Sequence, residues 1–134
     1  MDSALRSATR TISIDSALDA VLDLVADPYR LPDWAPNFAR SVRPDGDAWL
    51  VTSGETELRI TVRVSREHGT VDLLTSTDPP RGAFSRVLPN GSGSEYLFTL
   101  FFPDETQGAA VAAQMATVEE ELQSVRTLCE HPKR

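Results

Sequence analysis

Few stretches of this 134-residue chain hold residue types that could do chemistry. Asp72 and Arg59 are one candidate pair. An aspartate can move a proton, and an arginine beside it can polarise a carbonyl. Arg86 is a third charged strand residue, two positions from Phe84 and therefore on the same face. Glu119, Glu120 and Glu121 are of the right type for acid–base work. Three consecutive helix residues point in different directions, so we read the run as a solvated face. His68 stands alone in a turn beside Gly69, and reads as an exposed turn histidine. Cys129 and His131 are two soft ligands near the terminus, with no CxxC or HExxH to complete a zinc set. No metal and no cofactor is expected. The run Gly91-Ser92-Gly93-Ser94 lacks the lysine and the following helix of a phosphate loop, and reads as a hairpin turn. There is no GxSxG nucleophile elbow. No motif therefore assigns a catalytic residue.

Composition narrows the partners. The length fits a single domain over 1–134, able to bury ~65–70 % of its unfolded surface. The formal net charge is −7, and an acidic surface repels phosphate backbones and anionic membranes. We expect no nucleic-acid partner. No stretch approaches the roughly 20 apolar residues of a membrane span. The single cysteine rules out an internal disulfide, and the first ten residues hold no apolar run that could serve as a signal peptide. A cytoplasmic protein, monomeric or homodimeric, is the expectation.

The elements that must position these residues follow from periodicity. Residues 8–14 alternate and end in Ile12 and Ile14, a first strand. Ser16 opens a helix, with Asp19 completing a capping box and Leu18, Val21, Leu22 and Val25 as its buried stripe. Asp27-Pro28 stops it. Pro28, Pro32 and Pro36 then break the chain into a short helical turn and a loop holding Tyr29, Trp34 and Phe38. These aromatics either plug the open end of the core or, for Trp34 and Phe38, rim a pocket mouth. Six strands follow, over 41–43, 49–52, 58–64, 71–76, 84–88 and 95–102. Their links fall at 44–47, 53–54, 66–69, 78–81 and 89–93. Links this short make antiparallel hairpins. The last element spans 104–130. Val111, Met115, Val118, Leu122, Val125 and Cys129 form one helical stripe, opposite Glu120, Gln123 and Arg126. Asp104, with Gln107 three residues on, is the expected cap. The sum is an α+β architecture: about seven antiparallel strands, two short helices after strand 1, and a long C-terminal helix.

Which sheet face looks inward is less determined. Leu58, Ile60, Val62 and Val64 alternate with Arg59, Thr61 and Arg63. Hairpin pairing sets Val71 and Leu73 beside the apolar set and Asp72 opposite Arg63. The simplest reading is apolar inward, with Arg63–Asp72 an exposed pair typically worth under ~1 kcal/mol. The last strand resists this, because both of its faces are apolar. The same pairing sets Tyr96 and Phe98 beside the polar set. One bulge or a one-residue slip would exchange the faces and turn Arg59 and Asp72 into buried ligand contacts.

Three segments together resemble the START-like, helix-grip superfamily of polyketide cyclases/dehydrases and lipid-transport proteins (SRPBCC). They are ISIDSALDAVLDLVADPYRLPDWAP, RVLPNGSGSEYLFTLFFP and the amphipathic C-terminal helix. The resemblance covers nearly the whole chain, and the first segment is the most specific. It implies a strongly curved sheet gripping the last helix, with a cavity between them. Members bind lipids, hormones, polyketides and other apolar molecules, and a minority catalyse cyclisation or dehydration there. No shared catalytic motif can be carried over, and the short chain implies a small cavity. The function expected is binding of a small hydrophobic molecule, lipid-, aromatic- or polyketide-like. Trp34, Phe38, Trp49, Phe84 and Met115 are the candidate walls, and Arg59, Asp72 and Arg86 the candidate polar contacts. One register cannot bring all eight inside. The alternatives are an enzyme that uses Asp72 and Arg59, and a protein-interaction module that uses the groove or the outer sheet face.

Overall fold

A computed structural model describes residues 5–75 and 81–132. The elements run β1 (Arg6–Ile14), α1 (Leu18–Val25), a 3-10 turn (Pro28–Arg30) and α2 (Leu31–Trp34). Six strands follow: β2 (Ser41–Asp45), β3 (Ala48–Ser53), β4 (Thr56–Ser65), β5 (Thr70–Thr75), β6 (Gly82–Asn90) and β7 (Gly93–Phe102). The chain ends in α3 (Gly108–Glu130). The strands form one curved antiparallel sheet in the order β1-β7-β6-β5-β4-β3-β2. After β1 the chain crosses to the far edge through α1 and α2, and then returns by hairpins until β7 pairs with β1. Both edges are thereby strands of different origin, and β2 carries Pro44 and two charges, features that discourage further pairing.

The expected turns at 44–47 and 89–93 are tighter than read from sequence, and the one at 53–54 is shifted by one residue. Each is closed by two residues led by a glycine: Gly46, Gly54 and Gly91, with φ near 60°. Glycine first, with positive φ, fits the II′ turn that matches strand twist. In the third of these, Pro89 and Asn90 belong to β6 and Gly93 to β7. The expected turn at Asp78-Pro79-Pro80, and Ser76, lie outside the described residues.

Two caps differ from expectation. The α1 N-cap is Ala17, with no side-chain bond, and the Ser16 carbonyl accepts from the buried Ser94 hydroxyl at 2.8 Å. Residues 103–106 form a turn in which Thr106 N–H donates to the Pro103 carbonyl. The final helix therefore starts only at Gly108, and Asp104 caps nothing. Its far end is tied back by Glu130, which accepts from the Asp15 backbone N–H at 2.7 Å.

The apolar stripe of α3 packs on the sheet's inner face. Met115, Val118, Leu122 and Val125 are buried, with Val111 and Cys129 half-buried at its ends. From the sheet come Val51, Ile60, Val71, Leu73, Val87, Tyr96 and Phe98, and from α1 and α2 come Val21, Leu22, Leu31 and Trp34. No described helix is long and apolar enough to cross a membrane.

Gly69 closes the β4–β5 hairpin with φ +72°, and a Cβ there would lie 2.3 Å from the Val87 carbonyl oxygen. That carbonyl cannot move freely, because the Val87 N–H donates to Gly69 O at 2.8 Å. At Gly46, φ is +63° and nothing lies within 4 Å. Gly46→Ala should cost about 1 kcal/mol from backbone conformation alone, and Gly69→Ala at least about 1 kcal/mol more, by chemical denaturation.

Candidate functional site

Between the sheet and α3 the packing leaves a cavity of about 180 Å³. Its walls come from every layer. The α2 segment supplies Leu31, Trp34, Ala35 and Phe38. The strands supply Ile60, Leu73, Ala83, Phe98 and Leu100, and α3 supplies Gln114, Val118 and Glu121. Trp34 anchors the inner end. It is 2 % exposed and meets Tyr96 and Phe98 edge-to-face, with centroids 6.5 Å apart in both cases. Such pairs contribute about 0.5–1.5 kcal/mol beyond their burial. Gln114 is exposed, and Phe38, Thr75 and Gly82 are half-buried, so these residues mark the mouth.

The sheet register explains which predicted residues reach this space. Asp72 pairs with Arg63 and with Phe84, Arg86 pairs with Leu97, and Arg59 pairs with Leu50. All of these lie on the outer face. Arg63 holds Asp72 at 2.8 Å, as the simplest reading expected, and Arg59 sits 3.4 Å from Asp45. Arg86 donates to the His68 carbonyl at 3.1 Å. Phe84 packs edge-to-face on Phe101, itself 48 % exposed. Arg59, Asp72, Phe84 and Arg86 are therefore not cavity residues, and the acid–base pair of Asp72 with Arg59 is not assembled. Trp49 is on the inner face but stacks on Tyr29 at 5.0 Å, away from the cavity walls. Met115 is wholly buried as core packing. Of the eight candidates, Trp34 and Phe38 line the cavity.

Tyr96 and Phe98 correct the expected pairing: they face inward, beside Val87 and Ser85. The cause is the two-residue Gly91–Ser92 turn, which pairs Leu88 with Glu95. A five-residue loop would have closed Leu88 on Ser94 and reversed β7.

Glu121 corrects the solvated-face reading. It is 8 % exposed and lines the cavity, while Glu119 and Glu120 face solvent. The signal was present in the spacing, since Glu121 follows Val118 by three and precedes Val125 by four, on the buried stripe. No ion pair among the described residues involves it. Burial, and secondarily the charge of Glu120, push its carboxyl up to about 7. Tyr96 is shifted upward by burial, with the Ser85 hydroxyl opposing and the Glu121 charge adding to the shift. Ser85 itself donates to the Val71 carbonyl at 2.6 Å. Burial also raises the Cys129 thiol to about 11, so it is a neutral thiol at pH 7.

The folded state holds the Glu121 proton up to pH 7, whereas an unfolded glutamate releases it near 4.5. Folding is therefore stabilised less as pH rises between these values, by about 1–3 kcal/mol in all. Glu95 and Glu130 are shifted downward by hydrogen bonds, first from Ser13 and from the Asp15 backbone respectively, and act below that window. Denaturation at pH 5 and pH 8 should show Glu121→Gln gaining on the wild type at the higher pH by that amount. A constant difference would contradict the buried acid.

No family model and no curated protein matches the chain. Solved structures do. The chain is similar to XoxI from Bacillus cereus at 14 % identity and TM-score 0.76, over 95 % of this chain and 97 % of that one. It is similar to a START superfamily protein from Mycobacterium smegmatis at 10 % identity and TM-score 0.72, over 95 % and 99 %. DynU16, from the dynemicin biosynthetic locus, matches at 16 % identity and TM-score 0.71, over 95 % of this chain and 48 % of that one. At such identities the likeness is one of fold, and the fold of this chain is START-like, a curved sheet gripping a long C-terminal helix.

Proposed function

We propose that the chain binds one small apolar molecule in the cavity between the sheet and α3. The observation that carries this is the cavity itself, lined by Trp34, Phe98, Leu73 and Val118 between sheet and helix, with its mouth at Gln114 and Phe38. START-like proteins bind hydrophobic ligands, which supports the reading. The volume limits the guest. About 180 Å³ is close to the ~150 Å³ space that takes benzene, and below the ~300 Å³ at which drug-sized pockets begin. A single ring with short substituents fits, and a long-chain lipid or a multi-ring polyketide exceeds it. This narrows the expected lipid- or polyketide-like range.

A second reading is favoured by Glu121. A carboxyl that titrates near neutrality inside an apolar cavity is suited to general acid–base catalysis, so the same space could serve an enzyme that transfers a proton to or from a bound substrate. Glu121→Gln separates the two readings, because it would abolish turnover while leaving binding intact.

Ala83 tests the cavity without touching a polar group. It lies on the inner face, between Leu73 and Leu100. Ala83→Leu should fill the space. The wild type should melt higher with toluene or indole, by an amount equal to about 2.7 kcal/mol at one hundred times Kd. The variant should keep its own melting temperature and lose that response. An equal response in both proteins would place the binding elsewhere.

A further inference from the structure

Among the described residues, Glu121 is the one charged side chain in the cavity lining. Helix geometry places it there. Gln114, Val118 and Glu121 are four and three residues apart, so they share the face of α3 that lines the space. Gln114 marks the mouth, and Glu121 stands two turns further on, about 10 Å along the helix axis. Its carboxyl is unmatched. The side-chain hydrogen bonds and ion pairs of α3 among the described residues belong to Thr117, Glu119, Ser124, Arg126 and Glu130. Among those residues Trp34 Nε1 is the one polar side-chain atom that is both sealed from water and without a partner. The Glu121 oxygens, also without partners, therefore keep accessible surface, and the space their residue lines is the cavity.

A carboxyl held in this way has lost most of its water through folding, before any guest arrives. Burial is the main cause that raises it, and the like charge of Glu120 on the same helix adds to that. Tyr96 of β7 is the titratable group of the sheet that feels its charge. The lining residues of α2 and of the strands are uncharged. The cavity thus holds a desolvated acid with no counter-charge. A cationic guest meets it without a second desolvation cost on the protein side. A carboxylate or phosphate guest would bury two like charges together. An ammonium group supplies the opposite charge and N–H donors for both oxygens. The net charge of −7 also favours the approach of a cation. The side chains of Trp34, Phe38 and Phe98, with room for about one ring, favour an aromatic body. We propose that the cavity takes a small primary amine on a single-ring body, an arylalkylamine, with its ammonium group paired to the Glu121 carboxylate. This rests on the binding reading above and adds to it the charged half of the recognition.

Benzylamine, benzyl alcohol and toluene test it, since they share a ring and one carbon and differ only in what that carbon carries. Kd for each is measured by calorimetry at pH 8 on the wild type and on Glu121→Gln, which keeps the shape and removes the charge. The wild type should bind benzylamine at least about tenfold more tightly than benzyl alcohol, and Glu121→Gln should lose that preference while binding the two neutral compounds as before. Proton release gives a second readout that needs no substitution. Below about pH 7 the free carboxyl holds its proton, and pairing with an ammonium group sends that proton to the buffer. At pH 6 the heat of benzylamine binding should therefore differ between two buffers of unlike ionisation enthalpy, by about one proton per guest, and at pH 8 by almost none. Equal affinities for benzylamine and benzyl alcohol in the wild type, with no buffer-dependent heat, would overturn the inference while leaving the cavity a site for neutral guests. Benzylamine binding that persists unchanged in Ala83→Leu would place the amine outside the cavity and overturn it too. Binding of none of the three would overturn both readings.

Discussion

The Gly91–Ser92 turn closes Asn90 on Gly93, and the facing of a whole strand follows from that closure. Side chains alternate along a strand, so the parity of one pairing decides which half of β7 is buried. Here it sends Tyr96, Phe98 and Leu100 inward, towards Trp34 and α3. The inward aromatics both meet Trp34 edge-to-face. A one-residue slip would exchange Phe98 for Thr99 and Leu97 and remove the aromatic wall. The cavity is thus a consequence of a two-residue turn as much as of the long helix above it.

Around this frame, charge is segregated by face. The outer surface carries ion pairs such as Arg63–Asp72 and Arg59–Asp45, whose arginines are more than half exposed and whose net worth is small. The inner surface carries almost no polar groups, and Glu121 is there without an ion-pair partner among the described residues. Burying it opposes folding at neutral pH, as does the unmatched Trp34 N–H. The first of these lies in the cavity wall, where a carboxyl among apolar side chains is a local exception to the segregation of charge.

Much of the fold was legible because local signals agreed. The strict alternation of Leu58 to Val64 gave β4 and, through it, the Arg63–Asp72 register. The four-three spacing from Val111 to Cys129 gave α3. The site was less legible, for three physical reasons. β7 is apolar on both faces, so its pattern cannot choose between Phe98 and Phe101; only the turn length can. The glutamate run hides Glu121, because its neighbours are solvated and only the three- and four-residue steps to Val118 and Val125 place it on the buried stripe. Asp104 and Ser16 have the chemistry of helix caps but are committed to other backbone geometry, a turn in one case and a tertiary hydrogen bond from Ser94 in the other.

Ligand binding requires a real, apolar, accessible space between sheet and helix. Xenon tests it most directly, because the atom enters apolar cavities of this size and needs no polar contact. A crystal pressurised with xenon should show a strong peak bounded by Trp34, Phe98, Leu73 and Val118, and none in Ala83→Leu. Side chains closed across that space, with no xenon there in the wild type, would mean that no such cavity exists.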